Sequence, residues 1–248
     1  MALAKKATET IVIKPIKRRR LEVDIVGDSP LITHVFDAKA RRMILYKELG
    51  FTKNKKYEIK DPVGDFAASM YWLCKMPEII NEETIAEALE DAQFGFPACA
   101  FKEAACAAAY RNGWSKDKVS LYGAFHVLPT HPGYYGSDLE INEEKKYIEV
   151  IPNHFHSYEM IEIFGDKPEM REDHVIVGIS SADIRYRGQF NNWRATLPIT
   201  FNDNGLYTVD AIATFIEAGG FSCGIGEMRV EKGKGNGMYH ISAIREIG

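Results

Sequence analysis

The chain has 248 residues, 46% of them hydrophobic and 27% charged, with a formal net charge of −4. That composition describes a globular protein with a real core, built as one elaborate domain or two small ones. No segment approaches the roughly 18 apolar residues of a membrane span, and the N-terminal MALAKKATETIVIKPIKRRRLEV lacks a secretory apolar run, so a cytoplasmic protein without membrane contact is expected.

The charge is unevenly spread. Residues 1–60 carry 15 Lys and Arg against 7 Asp and Glu, a balance of +8, which leaves −12 for residues 61–248. The bunched Lys14, Lys17, Arg18, Arg19 and Arg20 read either as a solvated tail or as an arm that touches phosphates. Cys74, Cys99, Cys106 and Cys223 lack CxxC spacing and are expected to be reduced thiols, three of them in apolar surroundings.

Residues 1–19 read as a flexible basic leader, and 20–248 as a single domain with insertions at about 51–93 and 129–175. LEVDIVG alternates with the period of a half-buried strand, and LITHVF continues extended. Asp37 can cap a helix over AKARRMILYKEL that ends before Gly50. Within 51–93 only FAASMYWL and EETIAEALEDA suggest short ordered pieces.

FGFPACAFKEAACAAAYRNG predicts a buried helix, with Pro97 in its first turn and Gly113 closing it. Strands are predicted at VSLYGAFHVL, KKYIEVI and SYEMIEIF, with a turn-rich PTHPGYYGSDLEINEE between the first two. The stretch 174–201 predicts a hairpin around Gly188. Thr208 caps a helix over VDAIATFIEA that Gly219-Gly220 ends, and GMYHISAI is a closing strand. The order fits an α+β, ferredoxin-like (RRM-like) β-α-β-β-α-β core with inserted segments.

Residues 218–241, AGGFSCGIGEMRVEKGKGNGMYHI, hold seven glycines beside Arg229, Lys232 and Lys234. The segment is no P-loop, because no glycine stands at 228 and Gly235 follows Lys234, and it lacks dinucleotide-motif spacing. GFSCG satisfies GxSxG at Ser222, but a helix precedes it where a strand is required. What remains is either a structural turn or a loop whose glycines, Gly224 and Gly226 among them, let a sugar-phosphate chain approach cationic edges.

Arg185 and Arg187 stand two apart on a predicted strand and so share a face, suited to phosphate contact or base stacking; salt bridges to the acidic MRED segment are the alternative. His154 and His156 would also share a face, with Glu159 nearby, but nothing fixes a third ligand, so neither a metal nor a cofactor is expected. His34, near Asp37, reads as a packing or polar-contact residue.

The early strand, the long insertion, the helix FPACAFKEAACAAAYR and the loop GIGEMRVEKGKGNGMYHI together resemble the RAMP superfamily, in particular backbone subunits of class 1 CRISPR effector complexes. The string KPEMREDHVIVG…ADIRYRGQF…W…GIGE is also similar to uncharacterised bacteriophage and prophage proteins, over about residues 20–245. The resemblance implies a homo-oligomer stacked along single-stranded nucleic acid, usually RNA. It implies that Lys102 reaches the backbone, although Glu103 stands where a glycine is usual. It also implies that an aspartate after the first strand, placed at Asp37, cleaves RNA in some members.

The function expected is therefore non-catalytic binding of single-stranded RNA or DNA through Arg18, Arg19, Arg20, Arg41, Arg42, Lys102, Arg185, Arg187, Gly224, Gly226, Arg229, Lys232 and Lys234. The alternatives are a ribonuclease using His34 or Asp37, and a phage structural or protein-interaction component that presents its acidic body.

Overall fold

A computed structural model describes residues 15–36, 38–51, 60–177 and 181–247. In chain order these form β1 (Arg18–Gly27), β2 (Leu31–Ile32), α1 (Ala38–Glu48), α2 (Pro62–Ala68), β3 (Tyr71–Trp72), α3 (Glu82–Ala88), β4 (Phe94–Pro97), α4 (Ala98–Arg111) and α5 (Lys118–Tyr122). There follow β5 (Phe125–Val127), β6 (His131–Asn142), β7 (Tyr147–Ile163), β8 (Glu169–Val177), β9 (Ser181–Phe190), β10 (Arg194–Asn202), α6 (Val209–Ser222) and β11 (Tyr239–Ile247). The protein is α+β with antiparallel sheets. Asp37 lies outside the described residues.

The central sheet runs β11-β1-β10-β5, every neighbour antiparallel. Its strands alternate: Leu21, Val23 and Ile25 of β1, Leu197, Ile199 and Phe201 of β10, and Phe125 and Val127 of β5 are buried, while the residues between them face away. Phe101 and Ala105 of α4 and Ile212, Phe215 and Ile216 of α6 join these side chains in one cluster. Apolar burial drives this layer, at about 1.5–3 kcal/mol for each fully buried large side chain.

α4 and α6 pack on each other at very close range. A Cβ on Gly219 would lie 2.7 Å from the Ala105 nitrogen, and one on Gly220 would lie 2.0 Å from the Tyr239 carbonyl oxygen. The two glycines therefore do not end the helix, as the sequence suggested; they sit inside α6 as contact points, and the helix continues to Ser222. Thr208 caps its start by accepting from the Ala211 N–H.

Several expectations are corrected around this core. β1 begins at Arg18, inside the stretch read as a leader. Residues 119–122 form part of a helix and not a strand, because the Asp117 carboxylate accepts from the Ser120 N–H and caps a turn that buries only Leu121. The turn-rich 131–142 is a strand, held by pairing along nearly all its length with β7. β7 itself passes unbroken through Pro152 and Asn153, where two strands were expected, with Asn153 at φ 54°. Gly188 lies mid-strand opposite Met170 and is not a hairpin tip: β9 pairs with β8 and β2, whereas β10 belongs to the central sheet.

The insertions carry structure of their own. Asn81 and Thr84 form a reciprocal capping box at α3, and Asp61 caps α2. β3, β4, β7 and β6 close into a small barrel whose Trp72 is fully buried. Cys106 and Cys223 are buried, Cys74 is partly buried and Cys99 is exposed; all four are free thiols. Among the described residues no helix is long and apolar enough to cross a membrane.

The α4–α6 contact yields the first prediction. Gly219→Ala raises intrinsic helix propensity by up to about 1 kcal/mol, yet it should lower the urea midpoint by an amount equivalent to ~1–3 kcal/mol, because backbone stands where the methyl would go. A midpoint that rises instead contradicts this packing.

Candidate nucleic-acid interface

The structure disperses the cations that the sequence marked out. Arg19 pairs with Asp203 at 2.7 Å and Glu246 at 2.6 Å, and its guanidinium lies over the Phe201 ring. Arg41 pairs with Asp138 at 3.1 Å and donates to the Ser137 carbonyl, while Arg42 lines the groove beside α1. Arg185 lies 3.5 Å from Asp183. Arg187 does not share an exposed face with it: its side chain is 2% exposed, 3.0 Å from Asp173 and 3.6 Å from Glu227. It ties β8 and β9 to the glycine-rich segment and is out of reach of a ligand.

That segment is an ordered brace. Glu227 N–H donates to the Ile32 carbonyl at 2.8 Å, Ile225 N–H to Gly237 at 3.0 Å and Gly237 N–H to Pro30 at 2.8 Å. Gly224 and Gly226 have φ +66° and +80°, and a Cβ on Gly226 would lie 2.5 Å from the Ile32 carbonyl oxygen. The close approach these two glycines permit is to the protein's own backbone. Arg229 is taken up by Glu231 at 3.1 Å and by the Gly226 carbonyl. Lys232 and Lys234 stand exposed at the tip. Ser222, in the last turn of α6, donates to the Ala218 carbonyl, as a helical serine does.

Arg18, Arg20 and Lys102 are brought together. With one face of the central sheet under the helices, alternation sends Arg18 and Arg20 to the other. The register there sets Ile247, Arg20, Thr200 and His126 in a row across all four strands, with Arg18 opposite Asn202 one step further along. Lys102 reaches round the β5 edge from α4, its Nζ 3.3 Å from His126 Nδ1. A groove of about 760 Å³ runs over this end of the sheet, lined by Arg18, Arg20, His126, Thr200 and Asn202.

The same face divides by charge. Toward its middle, Arg245 neutralises Glu22 and Asp24 at 3.3 and 2.9 Å. At the groove end, Arg18 and Arg20 form no ion pair among the described residues, although Glu246 borders the groove and is held by Arg19. Partial burial, then Lys102 and Arg18, push the His126 pKa below the ordinary histidine value. Sequence reasoning missed His126; its position between the apolar Phe125 and Val127 was the available signal.

His154 and His156 do lie together on β7, with His154 Nε2 3.6 Å from Asp138. Among the described residues no group of three or more His, Cys, Asp or Glu side chains is arranged to hold a metal ion. No protein-family model matches the chain, and no curated protein matches it significantly.

His126 reports the local field. Its folded pKa is depressed, so unfolding takes up a proton at pH values between the folded pKa and about 6.5, and stability falls as pH drops through that window. Lys102→Gln should move the imidazole titration, followed by NMR, upward toward the ordinary value. A titration that stays in place means Lys102 does not act on His126.

Proposed function

We propose that the chain binds single-stranded nucleic acid, RNA or DNA, along the uncovered end of its central sheet. The observation that carries this reading is the gathering of Arg18, Arg20 and His126 on one groove, with Lys102 against His126 and the two arginines without carboxylate partners among the described residues. Arg18 and Arg20 are about 7 Å apart along their strand, close to the step between successive phosphates of an extended single strand. Cations so spaced hold a sugar-phosphate chain in register without reading its bases.

A ferredoxin-like core is part of the proposal. Support comes from the strand order β11-β1-β10-β5, in which the last, first, third and second strands of a β1-α4-β5-β10-α6-β11 path lie side by side. The segments between β1 and α4 and between β5 and β10 are then the insertions. A strand longer than one groove would carry several copies of the chain, as the resemblance to RAMP backbone subunits implies. The lysines at 232 and 234 add a lesser, long-range attraction.

Fluorescence anisotropy with labelled single-stranded 30-mers tests this. Binding should fall steeply with salt, with a slope near 0.7 per phosphate contacted. The double variant Arg18→Gln, Arg20→Gln should reduce that slope by roughly 1.4 and weaken binding at least tenfold at low salt. No binding at about 50 mM salt, or binding that the double variant leaves unchanged, overturns the proposal.

A further inference from the structure

At the β5 edge of the central sheet a lysine faces an imidazole. Lys102 Nζ lies 3.3 Å from His126 Nδ1. An ammonium group only donates, so Nδ1 accepts, and the single ring proton of His126 sits on Nε2. The free groove therefore holds this imidazole neutral, its lone pair occupied by Lys102. Burial of the ring keeps it so, and the positive charges of Lys102 and Arg18 add to the effect.

Strand register builds a notch beside this pair. Arg20, Thr200 and His126 stand opposite one another on neighbouring strands, which sets Arg20 and His126 roughly 10 Å apart with one short side chain between them. The Thr200 hydroxyl turns back to donate to the Arg19 carbonyl at 3.3 Å. Arg18, opposite Asn202, stands one alternation further along β1. The charged groups on the elements around His126 are Lys102 of α4, Arg18 and Arg20 of β1, Lys118 of α5 and Glu246 of β11. Lys118 lies 5.5 Å over the Tyr110 ring, and Arg19 holds Glu246 at 2.6 Å. Beyond the end of β10, Asp203 is held by Lys17 and Arg19 at 2.6 and 2.7 Å. The described histidines that pair with carboxylates are His154, His174 and His240, and His126 is not one of them.

We propose that His126 is a proton-linked phosphate ligand, so that one solvent proton enters the groove with the bound strand and acidification tightens binding. This ligand role rests on the binding function proposed above and adds its regulation. A phosphate oxygen seated in the notch accepts from Lys102 and draws the ammonium away from Nδ1. The freed lone pair takes a proton from solvent, and the imidazolium donates to the same phosphate. The anion thus stabilises a charge that the free groove opposes, and proton and strand strengthen each other's binding by the same factor.

The direction of the pH dependence follows. The free groove's His126 pKa lies below the ordinary histidine value, and the bound phosphate raises it. Above the bound value the ring is neutral with or without the strand, and affinity is flat. Between the bound and free values binding takes up a proton, and affinity rises by up to about tenfold for each unit that the pH falls. Below the free value the ring is charged in both states, and affinity levels off. Arg18 and Arg20 contribute no such linkage, because a guanidinium stays charged throughout.

The test follows the His126 imidazole of the full chain by NMR from about pH 5 to 8, alone and with a dT 30-mer lacking terminal phosphates, whose bases and diesters do not titrate there. The His126 midpoint should move up by about one unit or more on binding. Anisotropy with a rhodamine-labelled strand at fixed ionic strength should show affinity rising at least about threefold from about pH 8 to 6. His126→Asn should flatten that rise. The imidazole readout needs no variant and so is independent of folding. A strand that binds while the His126 midpoint stays in place overturns this inference and leaves the binding function standing; no binding at any pH overturns both. A rise in affinity that survives His126→Asn also overturns it.

Discussion

The packing of α4 and α6 against each other and onto one face of the central sheet is the constraint from which the rest follows. Gly219 lets the two helices meet almost backbone to backbone, and Gly220 does the same for α6 and β11. With Leu21, Val23, Leu197, Ile199 and Phe125 committed beneath them, strand alternation leaves the intervening residues no choice of side. Arg18, Arg20, Thr200 and His126 reach the open face because their neighbours are needed in the core. The candidate interface is thus a consequence of the fold's apolar layer and not a separate element laid over it.

A second set of contacts holds the inserted segments to that core, and it consumes much of the chain's remaining charge. Arg187 and Asp173 form a buried pair that Arg171 extends at 2.8 Å, and Glu227 reaches Arg187 from the glycine-rich segment. Removing one partner of such a pair strands a buried charge and costs about 3–5 kcal/mol. The glycine-rich segment likewise exchanges backbone freedom for tight docking on Pro30 and Ile32. The abundance of glycine beside positive charge has a structural cause at Gly224 and Gly226; Arg229 beside them is neutralised within the protein, whereas Lys232 and Lys234 stand exposed.

Elements with strong local signals were legible in the sequence. β1 and β11, the alanine-rich α4 and the Thr208-capped α6 all carry a clear period or cap within a few residues. What escaped depends on distant partners. β6 looks like a run of turns because His131-Pro132-Gly133 and Gly136 weaken its intrinsic preference, and pairing with β7, and with β3 at Tyr135, makes it a strand. Val119 to Tyr122 look extended by composition, yet one Asp117 hydrogen bond commits them to a helix. For the cations, residue type was visible and neutralisation was not: Arg187 faces Asp173, fourteen positions away across a hairpin, and Arg19 faces Glu246 near the other end of the chain. Arg18, Arg20 and Lys102 were marked from sequence, but their convergence with His126 needed the strand register.

The most direct measurement of the central claim is an amide NMR or hydrogen-exchange footprint of the full chain on adding a short single-stranded oligonucleotide. The largest changes are predicted at Arg18–Arg20, His126 and Thr200–Asn202, which form the groove. Changes confined to residues 224–236, with the sheet end unaffected, would contradict it.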